Sequence, residues 1–177
     1  LEVADKNLGK TIGSIISNSY DIFLKLKPDA LFVLGDTNSS LCEIPAKRLK
    51  IPIFHYEAGN RCFDLNVPEE INRKIADHIA DVNLTYTSNS KKYLIQEGFR
   101  KDFVISVGSP MKEILDTYKK NITESKILSS LNLDAKNYIL ASIHREENLD
   151  LNNNFISILK SISSISKKYS LPVIFST

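Results

Sequence analysis

The sequence predicts an α/β fold made of doubly wound parallel sheets. Three observations carry this: short unbroken apolar runs, amphipathic helical patterns between them, and turn-forming residues at the carboxyl end of each run. Leu8–Lys27 sets Ile12, Ile15, Ile16, Ile22, Phe23 and Leu26 at three- and four-residue intervals, which makes a helix that Pro28-Asp29 stops. Ala30–Leu34 reads as a strand buried on both faces. Gly35–Ser40 turns into a helix reaching Leu49, with Asn38 or Ser39 as N-cap. Ile51–Tyr56 is the next strand.

Pro68 opens a helix over Glu69–Ala80, with Ile71, Ile75 and Ile79 as its buried stripe. Val82–Thr85 is a strand, Asn89–Glu97 a helix closed by Gly98, and Phe103–Val107 a strand closed by Gly108-Ser109-Pro110. Met111–Leu133 is rich in Lys, Ser and Asn, lacks a sheet-forming run, and reads as a connection between two domains. A second cycle follows: strand Tyr138–Ile143, loop His144–Asp150, helix Asn152–Tyr169 and strand Pro172–Phe175. The expected division is 1–120 and 121–177. The chain opens at Leu1 inside a helical pattern and stops on a short strand, so it reads as an internal segment of a longer protein.

Length and composition set the class. The 177 residues suffice for one domain or one and a part; 42% are hydrophobic, 25% charged, and the net charge is +2 with no Lys/Arg cluster. Nucleic acid and membrane surfaces are therefore not expected partners. No apolar run approaches the roughly 20 residues a membrane span needs. Cys42 and Cys62 lack metal-ligand companions and suit a reducing cytosol.

Phe54–Glu70 is where chemistry is expected, because strand ends and helix starts of such sheets converge on one crevice. Asp36 follows the first strand and is either a ligand-facing carboxylate or an Asx-turn residue. Glu57 follows the next strand. Two carboxylates side by side can be split in pKa, one protonated and one ionised, as paired proton transfers require. The alternative for Glu57 is a salt bridge to Arg61. Glu69 and Glu70 start a helix and lie about 100° apart around it, with Arg73 and Lys74 four residues on; the helical wheel does not choose between them. Asp64 and Asn66 are pocket or loop residues. His55 reads as a packed core residue, Cys62 as a bystander. His144-Arg145 ends a strand of the second domain and suits a diphosphate or a leaving group, unless it belongs to a solvated charged loop.

Five motifs occur in order: Gly35–Ser40 (GDTNSS), His55–Arg61 (HYEAGNR), Pro68–Arg73 (PEEINR), Val107–Met111 (VGSPM) and His144–Asn148 (HREEN). Together they resemble the non-hydrolysing UDP-N-acetylglucosamine 2-epimerases. The resemblance implies a glycosyltransferase-B type fold, two Rossmann-like domains with the nucleotide sugar between them, of which this chain is an incomplete segment. It implies loss of the C2 proton as UDP leaves C1, a 2-acetamidoglucal intermediate, and re-addition with a proton on the other face. No NAD, metal or other cofactor takes part. By position it implies Asp36, Glu57 and Glu69 as the acid/base set and His144 near the leaving group. Arg145 matches a phosphate contact, with Asn60, Arg61 and Arg73 as further substrate-binding residues. A cytoplasmic homodimer serving capsule or O-antigen synthesis is implied as well.

Two departures stand out. The N-terminal Gly-x-Arg-Pro-Glu loop and the later part of the second domain are absent, so the segment alone is expected to be nearly inactive. EAGNRCFD followed by VPEEINR is similar to the branch that makes UDP-N-acetyl-L-fucosamine from a 6-deoxy sugar. The other classes weighed are a glycosyltransferase of the same fold and a non-catalytic nucleotide-sugar binder.

Overall fold

Two successive βα cycles end on Glu57 and on the start of the helix that carries Glu69. The computed structural model describes residues 5, 7–143 and 152–176. It divides into two units, Leu1–Glu113 and Ile114–Thr177.

In the first unit the order is α1 (Leu8–Leu26), β1 (Leu31–Leu34), a 3₁₀ segment (Asn38–Cys42), α2 (Glu43–Arg48), β2 (Ile53–Tyr56), α3 (Pro68–Ile79), β3 (Val82–Thr85), α4 (Ser88–Gln96) and β4 (Val104–Ser106). The four strands are parallel in sequence order, with Leu34 beside Tyr56 and Tyr56 beside Leu84. Each carboxyl end thus lies next to the preceding one. Asn7 caps α1 by accepting from the Lys10 N–H at 3.1 Å, and Lys27 ends it in the left-handed conformation. Ala46, Ile51 and Ile53 form one apolar nucleus, with Phe23, Leu31 and Ile79 packed on it; Ala58, Leu94 and Val104 form another.

Three expectations are corrected. The helix expected from Asn38 or Ser39 to Leu49 is broken into a 3₁₀ segment and α2. Pro45 is the reason: it has no N–H for a helical bond, so the α-helix restarts with Pro45 in its first turn. The cap is Thr37 without a side-chain bond, and Asn38 Oδ1 instead accepts from Asn72 Nδ2 at 3.0 Å. Second, β1 is not buried on both faces: Phe32 and Leu34 are each 60% exposed. The helix α2 touches β1 and both α1 and α3. Third, the isoleucine stripe of α3 is inward only in part: Ile79 packs on the first nucleus and Ile75 is half-buried. Ile71 is exposed, whereas Glu70, Asn72, Ala76 and Asp77 are buried. Polar residues point inward there because they meet polar partners from β2 and the turns.

The helix α5 (Met111–Thr117) crosses the division between the units. The second unit holds α6 (Lys119–Thr123), α7 (Ile127–Ser130), β5 (Ile139–Ser142), α8 (Asn152–Tyr169) and β6 (Val173–Ser176), with β5 and β6 parallel. The connection is therefore helical, as its propensity suggests. No helix of the described residues is long and apolar enough to cross a membrane. No group of three His, Cys, Asp or Glu among them is arranged to hold a metal.

Candidate active site

Asp36 and Glu57 meet because their turns are clipped to neighbouring strands. The Gly35 N–H donates to the Tyr56 carbonyl at 3.0 Å, and the Glu57 N–H to the Leu84 carbonyl at 3.1 Å. Gly35 has φ +77°, and a Cβ there would lie 3.7 Å from Glu57 Oε2. Glu57 itself has φ +77°, a left-handed conformation that costs a non-glycine residue about 1–3 kcal/mol and concentrates at functional sites.

Arg73, on the second turn of α3, ties this edge together. Its Nε donates to Asp36 Oδ2 at 2.7 Å and its Nη1 to Glu70 Oε2 at 2.9 Å; Nη2 pairs with Asp36. Asn60 Nδ2 donates to Glu57 Oε1 at 3.4 Å, and Ser90 Oγ donates to Asn60 Oδ1 at 2.9 Å. Burial raises the Glu57 pKa above the ordinary carboxylate value, and the Asp36 charge raises it further; Arg73 and His55 oppose. Burial and the Glu57 charge also raise the Tyr86 hydroxyl, whose ring packs edge-on against Tyr56 at 4.9 Å. The edge therefore sets a carboxyl of raised pKa beside a second carboxyl paired to a guanidinium.

Glu69 and Glu70 separate cleanly. Glu69 is exposed on the first turn of α3, while Glu70 is fully buried. Glu70 also accepts from the Cys62 N–H at 3.1 Å and lies 3.8 Å from Lys74 Nζ. Arg73 goes to Glu70 and Asp36, not to Glu69 as helix spacing suggests.

Arg61 does not pair with Glu57. Its buried guanidinium donates from Nη1 to Asp77 Oδ2 at 2.7 Å and from Nη2 to Glu97 Oε2 at 2.6 Å. Burial disfavours its charge, but the hydrogen bonds and charges of these two carboxylates outweigh that and raise its pKa. Its donors are thus engaged by Asp77, Glu97 and the Asn60 carbonyl. Asn60 too is spent on Glu57, Ser90 and, through its carbonyl, both arginines. His144 and Arg145 lie outside the described residues.

Beneath this edge lies a polar layer that periodicity did not reveal. His55 is fully buried, as a packed residue should be, but with both nitrogens bonded: Nδ1 to Asp77 Oδ1 at 2.8 Å and Nε2 to the Gly35 carbonyl at 2.9 Å. Burial works against its charge, yet Asp77, Glu43 and that carbonyl together raise its pKa. Burial likewise pushes the Glu43 carboxyl up to about 7, and neither of its oxygens has a hydrogen-bond partner among the described residues. One signal was available: Glu70, Arg73 and Asp77 stand three and four apart, one face of a helix.

The model of the family described as UDP-N-acetylglucosamine 2-epimerase matches residues 1–177. The chain belongs to the UDP-N-acetylglucosamine 2-epimerase family. A UDP-N-acetylglucosamine 2-epimerase homolog of Methanococcus maripaludis is 37% identical over 176 residues, 98% of this chain and 49% of its own. The UDP-N-acetylglucosamine 2-epimerase structure from Rickettsia bellii superposes with TM-score 0.94 at 50% identity, covering 100% of this chain and 46% of that one. The Methanocaldococcus jannaschii UDP-GlcNAc 2-epimerase in complex with UDP-GlcNAc and UDP gives 0.91 at 32%, covering 99% and 49%. The chain thus spans about half the length of these relatives. Their shared architecture is the glycosyltransferase-B-like α/β fold, of which this epimerase-family chain is a partial segment.

Proposed function

We propose that the full protein epimerises C2 of a UDP-2-acetamido sugar, UDP-N-acetylglucosamine to its manno epimer, without hydrolysis. One observation carries the reading: Glu57, with its raised pKa, stands beside Asp36, which Arg73 holds. Glu57, Asp36 and the exposed Glu69 form the acid/base set. A carboxylate takes the C2 proton, the C–H electrons form the C1–C2 double bond, and the C1–O bond breaks with its electrons leaving on UDP. In the return step UDP oxygen attacks C1 while a carboxyl on the opposite face delivers a proton to C2. A proton holder and a proton acceptor must coexist for this, and Glu57, with its raised pKa, beside Asp36, paired to Arg73, supplies two carboxyls in different surroundings. His144 and Arg145 serve the departing diphosphate.

Glu70, Asn60 and Arg61 act behind this set rather than on the sugar, since their polar groups are engaged within the protein. Residues 1–120 form the carboxylate-bearing domain and 121–177 begin the nucleotide side. The protein acts as a cytoplasmic homodimer in surface-polysaccharide synthesis.

A second reading keeps the chemistry and changes the sugar. Phe63 and Leu65, between Glu57 and Glu69, are 69% and 62% exposed. An apolar loop there favours a 6-deoxy sugar, whose C6 is a methyl group, and supports formation of UDP-N-acetyl-L-fucosamine. Proton NMR of the full-length protein in heavy water tests both. Loss of the C2 proton signal with growth of the second epimer, from UDP-N-acetylglucosamine or from the 6-deoxy L-sugar nucleotide, establishes the reaction and names the substrate. A folded protein that binds UDP but exchanges neither sugar would overturn the reading in favour of a transferase or a binder.

A further inference from the structure

The two carboxylate-bearing turns are joined from below by a single buried side chain. Asp77, on α3, accepts from three donors: His55 Nδ1 at 2.8 Å, Arg61 Nη1 at 2.7 Å, and the Gly59 N–H at 3.2 Å to each oxygen. The other nitrogen of His55 donates to the Gly35 carbonyl, the residue before Asp36, at 2.9 Å. A carbonyl only accepts, so Nε2 carries a proton and the imidazole passes the hold from Asp77 to the first turn. In the second turn, a Cβ on Gly59 would lie 2.5 Å from the Ser90 carbonyl, so the backbone is already pressed against α4 where Asp77 grips it. Asp77 also sits one helical turn beyond Arg73, on the helix whose first turn bears Glu69.

We propose that Asp77, acting through His55, is a positioning residue that fixes the Asp36 turn and the Glu57 turn to α3 as one rigid frame. A simple core ion pair would need one partner; here one carboxylate reaches the backbone of the Glu57 turn directly and that of the Asp36 turn through His55. Replacing a buried ion pair by apolar packing is often neutral or stabilising, so stability alone does not account for such a tie. The geometry matters because a displacement of about 1 Å at a reacting group can cost about 100-fold in rate. The proposal rests on the epimerase reading for its effect on turnover, but not for its effect on the turns.

The test uses the full-length protein with Asp77→Asn, His55→Asn and Glu97→Gln. Amide hydrogen exchange is followed over 35–40 and 57–62, with kcat, KM and the unfolding midpoint measured on the same samples. Asp77→Asn is expected to speed exchange about tenfold in both turns. Its kcat should fall about 100-fold with KM within about threefold, which a general loss of stability would not produce. His55→Asn, whose amide keeps the reach of Nδ1 but not of Nε2, should loosen only the Asp36 turn. Glu97→Gln alters the same network at the Arg61 side chain without touching the Gly35 or Gly59 backbone and should leave exchange at 35–40 and at Gly59, and kcat, unchanged. Unchanged exchange over 35–40 in Asp77→Asn, or kcat within about threefold of wild type, overturns the proposal. If Asp77→Asn does not fold, the same two readouts on His55→Asn decide. A wild-type protein that leaves the C2 proton in place sinks the epimerase reading alone, since the exchange pattern still judges the tie.

Discussion

The carboxylates of the first unit fall into two tiers that differ in what surrounds them. At the rim, Asp36, Glu57 and Glu69 keep some access to solvent; on the floor, Glu43, Glu70 and Asp77 are buried. Among rim groups Glu57 has one long contact, from Asn60 at 3.4 Å, and Asp36 is gripped by the single side chain of Arg73, whereas Glu70 and Asp77 each accept from several different residues. A group that must trade protons cannot be saturated with hydrogen bonds, and a group that must hold a turn in place should be. Exposure and bonding thus sort residues that chemistry alone makes identical.

The largest effect that would break this division is at Glu57. Glu57→Gln in the full-length protein keeps shape and removes the titratable proton. It should slow C2 proton exchange roughly 10³-fold, with UDP affinity and unfolding midpoint unchanged, as general acid/base groups contribute on that scale. Near-normal exchange, read by NMR in heavy water, would place Glu57 with the floor.

Adjacent glutamates sharpen it further. Glu70→Ala leaves the Arg73 guanidinium without one buried partner and should cost about 3 kcal/mol in urea unfolding, the low end for breaking a buried pair. Glu69→Gln, on an exposed surface position, should stay within about 0.5 kcal/mol while turnover falls steeply. Swapped phenotypes would mean that the first turn of α3 is oriented differently during catalysis.

Those two residues also show how far sequence reached. The alternation of apolar runs and helical patterns placed every strand of the first unit to within a residue or two, because β1 to β4 are set by local composition and turn residues. Helix spacing could not rank Glu69 against Glu70, since burial depends on what arrives from β2 and the turns. The same reason hid Asp77: an aspartate within an apolar-looking helix reads as surface until His55, Gly59 and Arg61 are seen around it. Ile71, placed in the core by its spacing, is exposed because that spacing carries no information about a polar neighbour. The break at Pro45 was legible in principle, as a proline within an expected helix. The motif resemblance named the rim; it was silent on the floor.

Glu43 makes the floor visible to pH. Its carboxyl is raised from 4.5 to about 7. A raised carboxyl stabilises the fold fully below the unfolded value, and that contribution is lost as pH rises through the folded one. Wild type should therefore weaken between pH 4.5 and 8 by about 3 kcal/mol relative to Glu43→Gln, at about 1.4 kcal/mol per unit. His55 titrates with the same sign, since its raised pKa also gives stability that is present at low pH and lost at high pH. Removing the Glu43 charge lowers the His55 pKa too, so the variant's profile flattens twice over. Urea unfolding at half-unit pH steps reads this directly, and parallel profiles would show that Glu43 is solvated.

The smallest effect belongs to a carboxylate in neither tier. Asp81 meets Lys47 Nζ at 2.5 Å with both side chains 44% exposed, and Asp81 Oδ2 accepts from the Ile53 N–H at 2.9 Å. Burial raises its pKa, but the Lys47 hydrogen bond, the Ile53 N–H and the Lys47 charge together outweigh that and lower it overall. A lowered carboxyl gives stability that is present above 3.8, its unfolded value, and lost as pH falls through the folded one. Lys47→Ala should therefore cost no more than about 1 kcal/mol at neutral pH, and the difference should vanish in acid and shrink in high salt. The Ile53 bond survives the substitution and keeps Asp81 anchored to β2. A salt-independent loss of several kcal/mol would mean that exposure is a poor guide to what a carboxylate does here, and the two-tier reading of the catalytic edge would lose its basis.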